Sequence, residues 1–192
     1  MPITQDHAML EYTELMSRGR DGERTAQVCW IAGALTAAVM LSWAISAKSP
    51  GLMIPVVFAI AIGFYGMLRG RQQVRWIGSY LEEFYEGPNG PQWFTRVHRL
   101  QNLPGYHPVG DWLTTLLANM GVVLTVMLAW MYSGTSPRGD LLAGIAAACG
   151  VVFAVHSVYE TVRIGMTDSR AMWRQVGGEL HETTRPRQAA SY

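Results

Sequence analysis

Four stretches of this 192-residue chain hold no Asp, Glu, Lys or Arg: residues 25–47, 49–68, 112–137 and 141–159. All 15 basic and 14 acidic residues are confined to the remainder. An α-helix rises about 1.5 Å per residue, so about 20 residues cross a hydrocarbon core of about 30 Å. Helices of a water-soluble bundle need a solvated face and rarely stay uncharged over such lengths. A single charge at the bilayer centre costs about 2.5–3.5 kcal/mol, which is reason enough for the segregation. The expected fold is all-α: a polytopic membrane protein of four transmembrane helices arranged as two hairpins, with cytoplasmic amphipathic helices at the interface. A net charge of +1 and a mean hydropathy of +0.11 do not suggest a nucleic-acid binder, which carries a strongly basic domain.

The basic residues also give an orientation. Arg18, Arg20 and Arg24 precede the first stretch, and Arg69, Arg71, Arg75, Arg96 and Arg99 lie between the second and third. Arg163, Arg170, Arg174, Arg185 and Arg187 follow the fourth, while the two short turns have only Lys48 and Arg138. Arginine and lysine are retained on the cytoplasmic side. Both termini and the central segment are therefore expected in the cytoplasm, with the protein multi-pass in the plasma (inner) membrane. The acidic Asp6, Glu11, Glu14 and Asp21, and the length of 25–47, read as a first span that stays rather than a cleaved signal peptide.

The expected order is a cytoplasmic N-terminal helix (1–24), a first transmembrane hairpin (25–68), a cytoplasmic amphipathic segment (69–111), a second hairpin (112–159) and a cytoplasmic tail (160–192), disordered from about 183. Lys48-Ser49-Pro50-Gly51 and Ser133-Gly134-Thr135-Ser136-Pro137 are turn sequences. Pro55 falls in the opening turn of the second span, where its missing N–H costs little. After Arg69 the helix continues, with Val74, Ile77, Leu81 and Phe84 on one stripe and Glu82, Glu83 and Glu86 pointing elsewhere. The breaker Gly87-Pro88-Asn89-Gly90-Pro91 precedes a short helix over about 92–103, and Asp111 is expected to cap the third span. A further interfacial helix over 163–182 would use Ile164, Met172, Trp173 and Val176.

Inside lipid, helices associate through small residues and polar contacts. Candidate ridges are Gly33/Ala37, Ala59/Gly63, Gly66/Gly70, Gly121/Thr125/Ala129 and Ala146/Gly150/Ala154, packing either within the chain or between subunits. Thr114, Thr115 and Asn119 are polar groups deep in the third span, and His156 lies near Glu160 at the end of the fourth. An intramembrane histidine is a functional candidate by default; the better reading of His156 is a hydrogen-bonded structural residue, with Glu160 four positions on along the same face. Cys29 and Cys149 read as small apolar packers. His98, His107 and Asp111 match no compact ligand spacing, and no nucleophile elbow, phosphate loop or HExxH occurs. No catalytic residue, metal site or cofactor is assigned.

The unusual content lies outside the spans. Arg69, Arg71, Arg75, Trp76, Trp93 and Arg96 are the candidate contacts to the membrane surface or to a protein partner, because exposed arginine and tryptophan are characteristic interface anchors. Each arginine can also gain about 1 kcal/mol from anionic headgroups. The expected partners are the bilayer, its anionic headgroups, and an unidentified protein or a second copy of the chain.

The segments Leu10-Glu11-Tyr12 through Arg24-Thr25-Ala26-Gln27-Val28, Val74 to Glu86 and Gln92-Trp93-Phe94-Thr95-Arg96 resemble a family of small uncharacterised prokaryotic multi-pass membrane proteins. In that family a hairpin of spans leads into an Arg-Ile-x-x-Tyr-(Leu/Ile)-x-x-Phe-x-Glu segment and then Trp-Glu-x-Arg. The likeness covers about the first half, and Phe94 stands where the family has Glu. The resemblance implies the architecture and no activity. The functional expectation is a non-enzymatic scaffold or regulatory membrane protein; the alternative is an oligomeric channel or small transporter with Asn119 and Thr125 lining its path.

Overall fold

The computed structural model describes residues 5–85, 93, 95–96, 109–134, 136–166, 169 and 171–176, and the regular elements among them are all helical. Helix α1 runs unbroken over Gln5–Ser46, so the polar N-terminal arm and the first apolar stretch share one helix. A single 3-10 turn, Pro50–Leu52, leads into α2, Met53–Phe84. Helix α3 spans Val109–Ser133 and α4 spans Pro137–Met166. All four are long and apolar enough to cross a membrane. The expected helix over 92–103 and the terminal residues from 183 fall outside the described residues, apart from Trp93, Thr95 and Arg96.

The turns follow from their residues. Lys48, at φ 48°, reverses the chain after α1, and Pro50 opens the 3-10 turn. Gly134 closes α3 at φ 64°, the left-handed conformation that glycine adopts without cost. Ser136 then caps α4, its Oγ accepting from the Gly139 N–H at 3.1 Å, with Pro137 at the first helical position and Asp140 in the first turn. Asp111 does not cap α3, because the helix begins two residues earlier at Val109.

The chain forms two compact units, one of Arg20–Gln73 with His107–Met166 and one of Met1–Gly19, Val74–Tyr106 and Thr167–Tyr192. In the first, α1 and α2 meet backbone to backbone. A Cβ on Gly33 would lie 2.5 Å from the Gly63 Cα, and one on Gly63 would lie 2.8 Å from the Gly33 Cα. The same seam continues where Gly66 faces Cys29 and where Gly70 faces the Gly22 carbonyl and Ala26. Beside it, Phe64 stacks edge-on to Phe153 of α4 at 5.6 Å, within a core that includes Val57, Met67, Leu68, Ala118 and Val122. Ala44, Met53, Ala129, Ala143 and Ala146 form a second cluster, and Gly150 lies against Val122 and Val126. The small-residue ridges thus pack within the chain.

Alongside that apolar core, this unit buries small and polar residues and exposes many large apolar ones. Thr125 and Ser157 are fully buried, whereas Ile31, Leu35 and Val39 of α1 and Leu116, Met120, Val123 and Met127 of α3 are more than half exposed. Helix faces this apolar are unusual for a surface in water and are of the kind that suits association in lipid.

The Gly33–Gly63 contact gives a test. Gly33→Val must push the helices apart and is expected to lower stability by about 1–3 kcal/mol or more, the usual cost of overpacking. Gly144→Ala meets nothing within 4 Å and is expected to leave the melting temperature in detergent unchanged. Equal behaviour of the two variants would contradict the contact.

Candidate functional site

The second unit is built around aromatic rings from three distant parts of the chain. On α2, Leu81 is fully buried, with Val74 and Ile77 half-buried beside it, and Gly19 of α1 lies against Ile77. One turn apart, Tyr80 and Phe84 pack ring to ring at 4.9 Å. Tyr85 lies 5.9 Å from Tyr80 and 6.2 Å from Tyr12 of α1. Trp173, in the helical segment 171–176, completes the cluster, edge-on to Tyr80 at 5.0 Å and to Phe84 at 6.5 Å.

Two polar contacts orient that tryptophan. Its Nε1–H donates to the Trp76 carbonyl at 3.2 Å, and the neighbouring Arg174 Nε meets Glu83 Oε2 at 3.2 Å. Ring pairs of this kind contribute about 0.5–1.5 kcal/mol each. The ion pair is largely exposed on the Arg174 side, and such pairs contribute about 0.2–1 kcal/mol.

Tyr85 has its pKa raised above the ordinary tyrosine value, chiefly by burial and then by a hydrogen bond with Glu11. A raised phenol pKa means that the neutral form is favoured by the fold. Its contribution is full below the ordinary tyrosine value of 10.0 and is lost as pH climbs toward the folded-state value. Tyr85→Phe should therefore flatten the loss of stability above pH 10 in an alkaline unfolding series. A wild-type slope in the variant would contradict this role.

Of the candidate contact residues, Trp76 is the one brought into this cluster, through its carbonyl, while its indole is half exposed. Arg69, Arg75, Trp93 and Arg96 are exposed and Arg71 is half-buried. Glu82 departs from expectation: it is buried at 7% exposure rather than turned away from the packed face. Tyr12, Tyr80, Tyr85, Trp173 and Arg174 were not singled out as one site. The available signal was the i, i+4 pair Tyr80/Phe84 and the Trp173-Arg174 dipeptide, both rich in anchor residues and both outside the apolar runs.

A polar seam joins α3 and α4 in the other unit. Asn119 Nδ2 donates to the Thr115 carbonyl at 2.8 Å and to Ser157 Oγ at 3.0 Å, and the Thr115 and Thr161 hydroxyls meet at 2.9 Å. Ser157 and Thr161 also donate back along α4, to the carbonyls of Ala154 and Ser157. Every side chain of the seam is engaged within the chain. His156 does not join it. Glu160 pairs with Arg163 at 2.7 Å, and His156 is exposed, flanked by the rings of Tyr65 at 5.3 Å and Tyr159 at 6.3 Å. In place of the expected hydrogen bond, His156 makes ring contacts, and Glu160 pairs with Arg163.

No group of three metal-ligating side chains occurs among the described residues, and His98 and His107 lie outside them. No family model, no curated protein and no solved structure matches the chain.

Interhelical hydrogen bonds in bilayers contribute about 0.6 kcal/mol on average and up to about 1.7. Asn119→Leu is accordingly expected to destabilise by about that range in a detergent unfolding assay. Ser157→Ala, which removes a hydroxyl also satisfied by its own helix, should cost no more. A neutral Asn119→Leu would remove the seam from the forces joining α3 and α4.

Proposed function

We propose that the chain is a non-enzymatic interaction protein of the plasma (inner) membrane. Its four spans form two hairpins, and its working part is the cytoplasmic layer built from the N-terminal arm, the α2 extension and the tail. Both termini are cytoplasmic in this reading, which rests on the thirteen basic residues flanking the spans on one side.

The aromatic belts support the membrane assignment. Trp43 and Trp130 stand half or more exposed near one end of their apolar stretches, and Trp112 and Tyr159 near the other. Trp112 and Trp130 are separated on one helix by about 27 Å at 1.5 Å per residue, close to a hydrocarbon thickness of about 30 Å. The observation that carries the functional reading is the tertiary cluster of Tyr12, Tyr80, Phe84, Tyr85 and Trp173. Helices that merely span have no need of a packed aromatic site outside the apolar stretches. Aromatic and arginine side chains concentrated there are the usual anchors of protein interfaces.

The channel reading is disfavoured by the very residues that suggested it. Thr125 is fully buried and donates to the Gly121 carbonyl at 2.8 Å, and Asn119 is engaged in the α3–α4 seam. Neither is turned toward a path.

A photo-crosslinking amino acid introduced in cells at Trp76 and at Trp93 tests the proposal. Both are exposed, and each is expected to give a discrete protein adduct, while the same group at Met127 on α3 labels lipid. Reporter fusions at both termini should read cytoplasmic. Absence of any protein adduct at Trp76 and Trp93, or ion flux through liposomes holding the purified chain, would overturn it.

A further inference from the structure

Helix α4 carries an imidazole on its outer surface, where packing has no use for one. Ionisable side chains in spans almost always face the bundle interior, yet His156 is exposed, inside the uncharged run 141–159. The rings around it repeat the pattern. Phe64 and Phe153 are buried and meet edge-on at 5.6 Å. Tyr65, half-buried, lies edge-on to Phe153 at 6.0 Å and 5.3 Å from the His156 ring. Tyr159, 59% exposed, stacks on His156 at 6.3 Å. Phenylalanine would serve the ring contacts equally well at all three outer positions. What tyrosine and histidine add is an O–H or N–H donor at each, and an imidazole donates in either protonation state.

These donors stand at one level between apolar and cationic surface. On α2, Phe58 and Ile62 are 54% and 71% exposed, Tyr65 follows, and Arg69 is exposed one turn further on. On α4, Val152 and Val155 are 69% and 66% exposed, His156 and Tyr159 follow, and Arg163 comes one turn later. The two helices run in the same direction here, with Phe64 against Phe153 and Tyr65 against His156. Both surfaces therefore pass from apolar groups through hydrogen-bond donors to a cation, in the same order. A phospholipid offers the complement in that order: acyl chains, then the ester and phosphodiester oxygens. His156 precedes Glu160, the first charge, by about 6 Å of helix rise, the level at which those oxygens meet hydrocarbon. Glu160 is only 17% exposed, and its Oε2 accepts from Arg163 Nε and Nη2 at 3.1 and 2.7 Å. Arg69 and Arg163 against Glu160 leave the patch cationic, so the acceptor it fits is an anion.

We propose that Tyr65, His156 and Tyr159, with Arg163, form a binding site for the phosphodiester of one anionic phospholipid, its chains lying along the exposed apolar residues of α2 and α4 that precede them. This rests on the reading of 49–68 and 141–159 as spans, and adds one specific ligand to a surface that elsewhere offers lipid only apolar side chains. The hydroxyls and the imidazole fix the position of the phosphate, and the arginines supply the preference for negative charge.

The test uses the full-length chain in dodecylmaltoside micelles, titrated with dioleoylphosphatidylglycerol and read by native mass spectrometry. Dioleoylglycerol, with the same chains and no phosphate, is the comparison. The wild type is expected to retain one phosphatidylglycerol and no diacylglycerol at low lipid. Tyr65→Phe and His156→Phe keep their rings and lose their donors; each is expected to weaken binding several-fold, and the double variant about ten-fold or more, as the loss of hydrogen bonds to a charged group implies. Arg138→Gln, at the opposite end of α4, is expected to bind as the wild type does. Should Tyr65→Phe fold badly, Tyr159→Phe on its exposed ring serves instead and should weaken binding likewise. Undiminished binding by the double variant, or equal retention of diacylglycerol, would overturn the site. Equal loss in Arg138→Gln would assign the binding to general charge and overturn it as well. A chain that stays dissolved without detergent would remove the spans themselves, and that result is read before any lipid is added. One lipid bound with no adduct at Trp76 and Trp93 in cells would sink the interaction reading and leave this site; adducts there with no preference for phosphatidylglycerol would do the reverse.

Discussion

The approach of α1 to α2 at Gly33 and Gly63 is the constraint on which the unit of four long apolar helices depends. Lipid chains are as apolar as any side chain, so burying leucine against leucine gains little there, and helices are held by close backbone contact and polar bonds. A Cβ on either glycine would fall within 3 Å of the opposite backbone, so no other residue lets the helices come as near. Their proximity also brings Ala59 and Ala37 into one buried cluster with Val56. Further along α2, Phe64 is left to fill the space toward Phe153 of α4. Small residues along one seam thus decide where the large ones go.

The α3–α4 contact solves the same problem by different means. Alanines at 129, 143 and 146 and the glycine at 150 allow approach, and the Thr115–Thr161 and Asn119–Ser157 bonds add direction. A hydroxyl in lipid can be satisfied by its own helix, as Thr125 and Ser157 are. Asn119 has more hydrogen-bonding capacity than its own helix can meet, and so reaches across to Ser157. One amide is therefore enough to select a register that alanine packing alone would leave loosely defined.

Much of this architecture was legible in the residues because the physics behind it is local. Charge-free length marks the four long apolar helices, and Pro50, Gly134 and Pro137 mark where they stop and start. The small-residue ridges were readable as surfaces, but not the direction each faces, since i, i+4 spacing is the same for an internal seam and a subunit contact. Glu82 was misjudged for a related reason: periodicity on α2 alone cannot register Tyr12 of α1 or segment 171–176, which also build that unit. The aromatic cluster is the clearest such case. Tyr12, Tyr80 and Trp173 are separated by 68 and 93 positions in the chain, and nothing in the local pattern of any one of them points to the other two.

The two units also differ in what can hold them. In the four-helix unit many large apolar residues are exposed, and the interior mixes alanine, glycine, threonine and serine with Met53, Val56, Val57, Phe64, Met67 and Phe153. In the other unit Leu81 is buried, and the rings of Tyr80, Phe84, Tyr85 and Trp173 pack against one another while staying partly exposed. Helix α2 contributes to both, using glycines at 63, 66 and 70 in one and Tyr80, Leu81 and Phe84 in the other. The change falls within the arginine-bearing stretch Arg69 to Arg75. A run of arginines at that place is where the retention of basic residues on one side would set the end of a span. Past that run, segment 171–176 packs Trp173 against Tyr80 and Phe84.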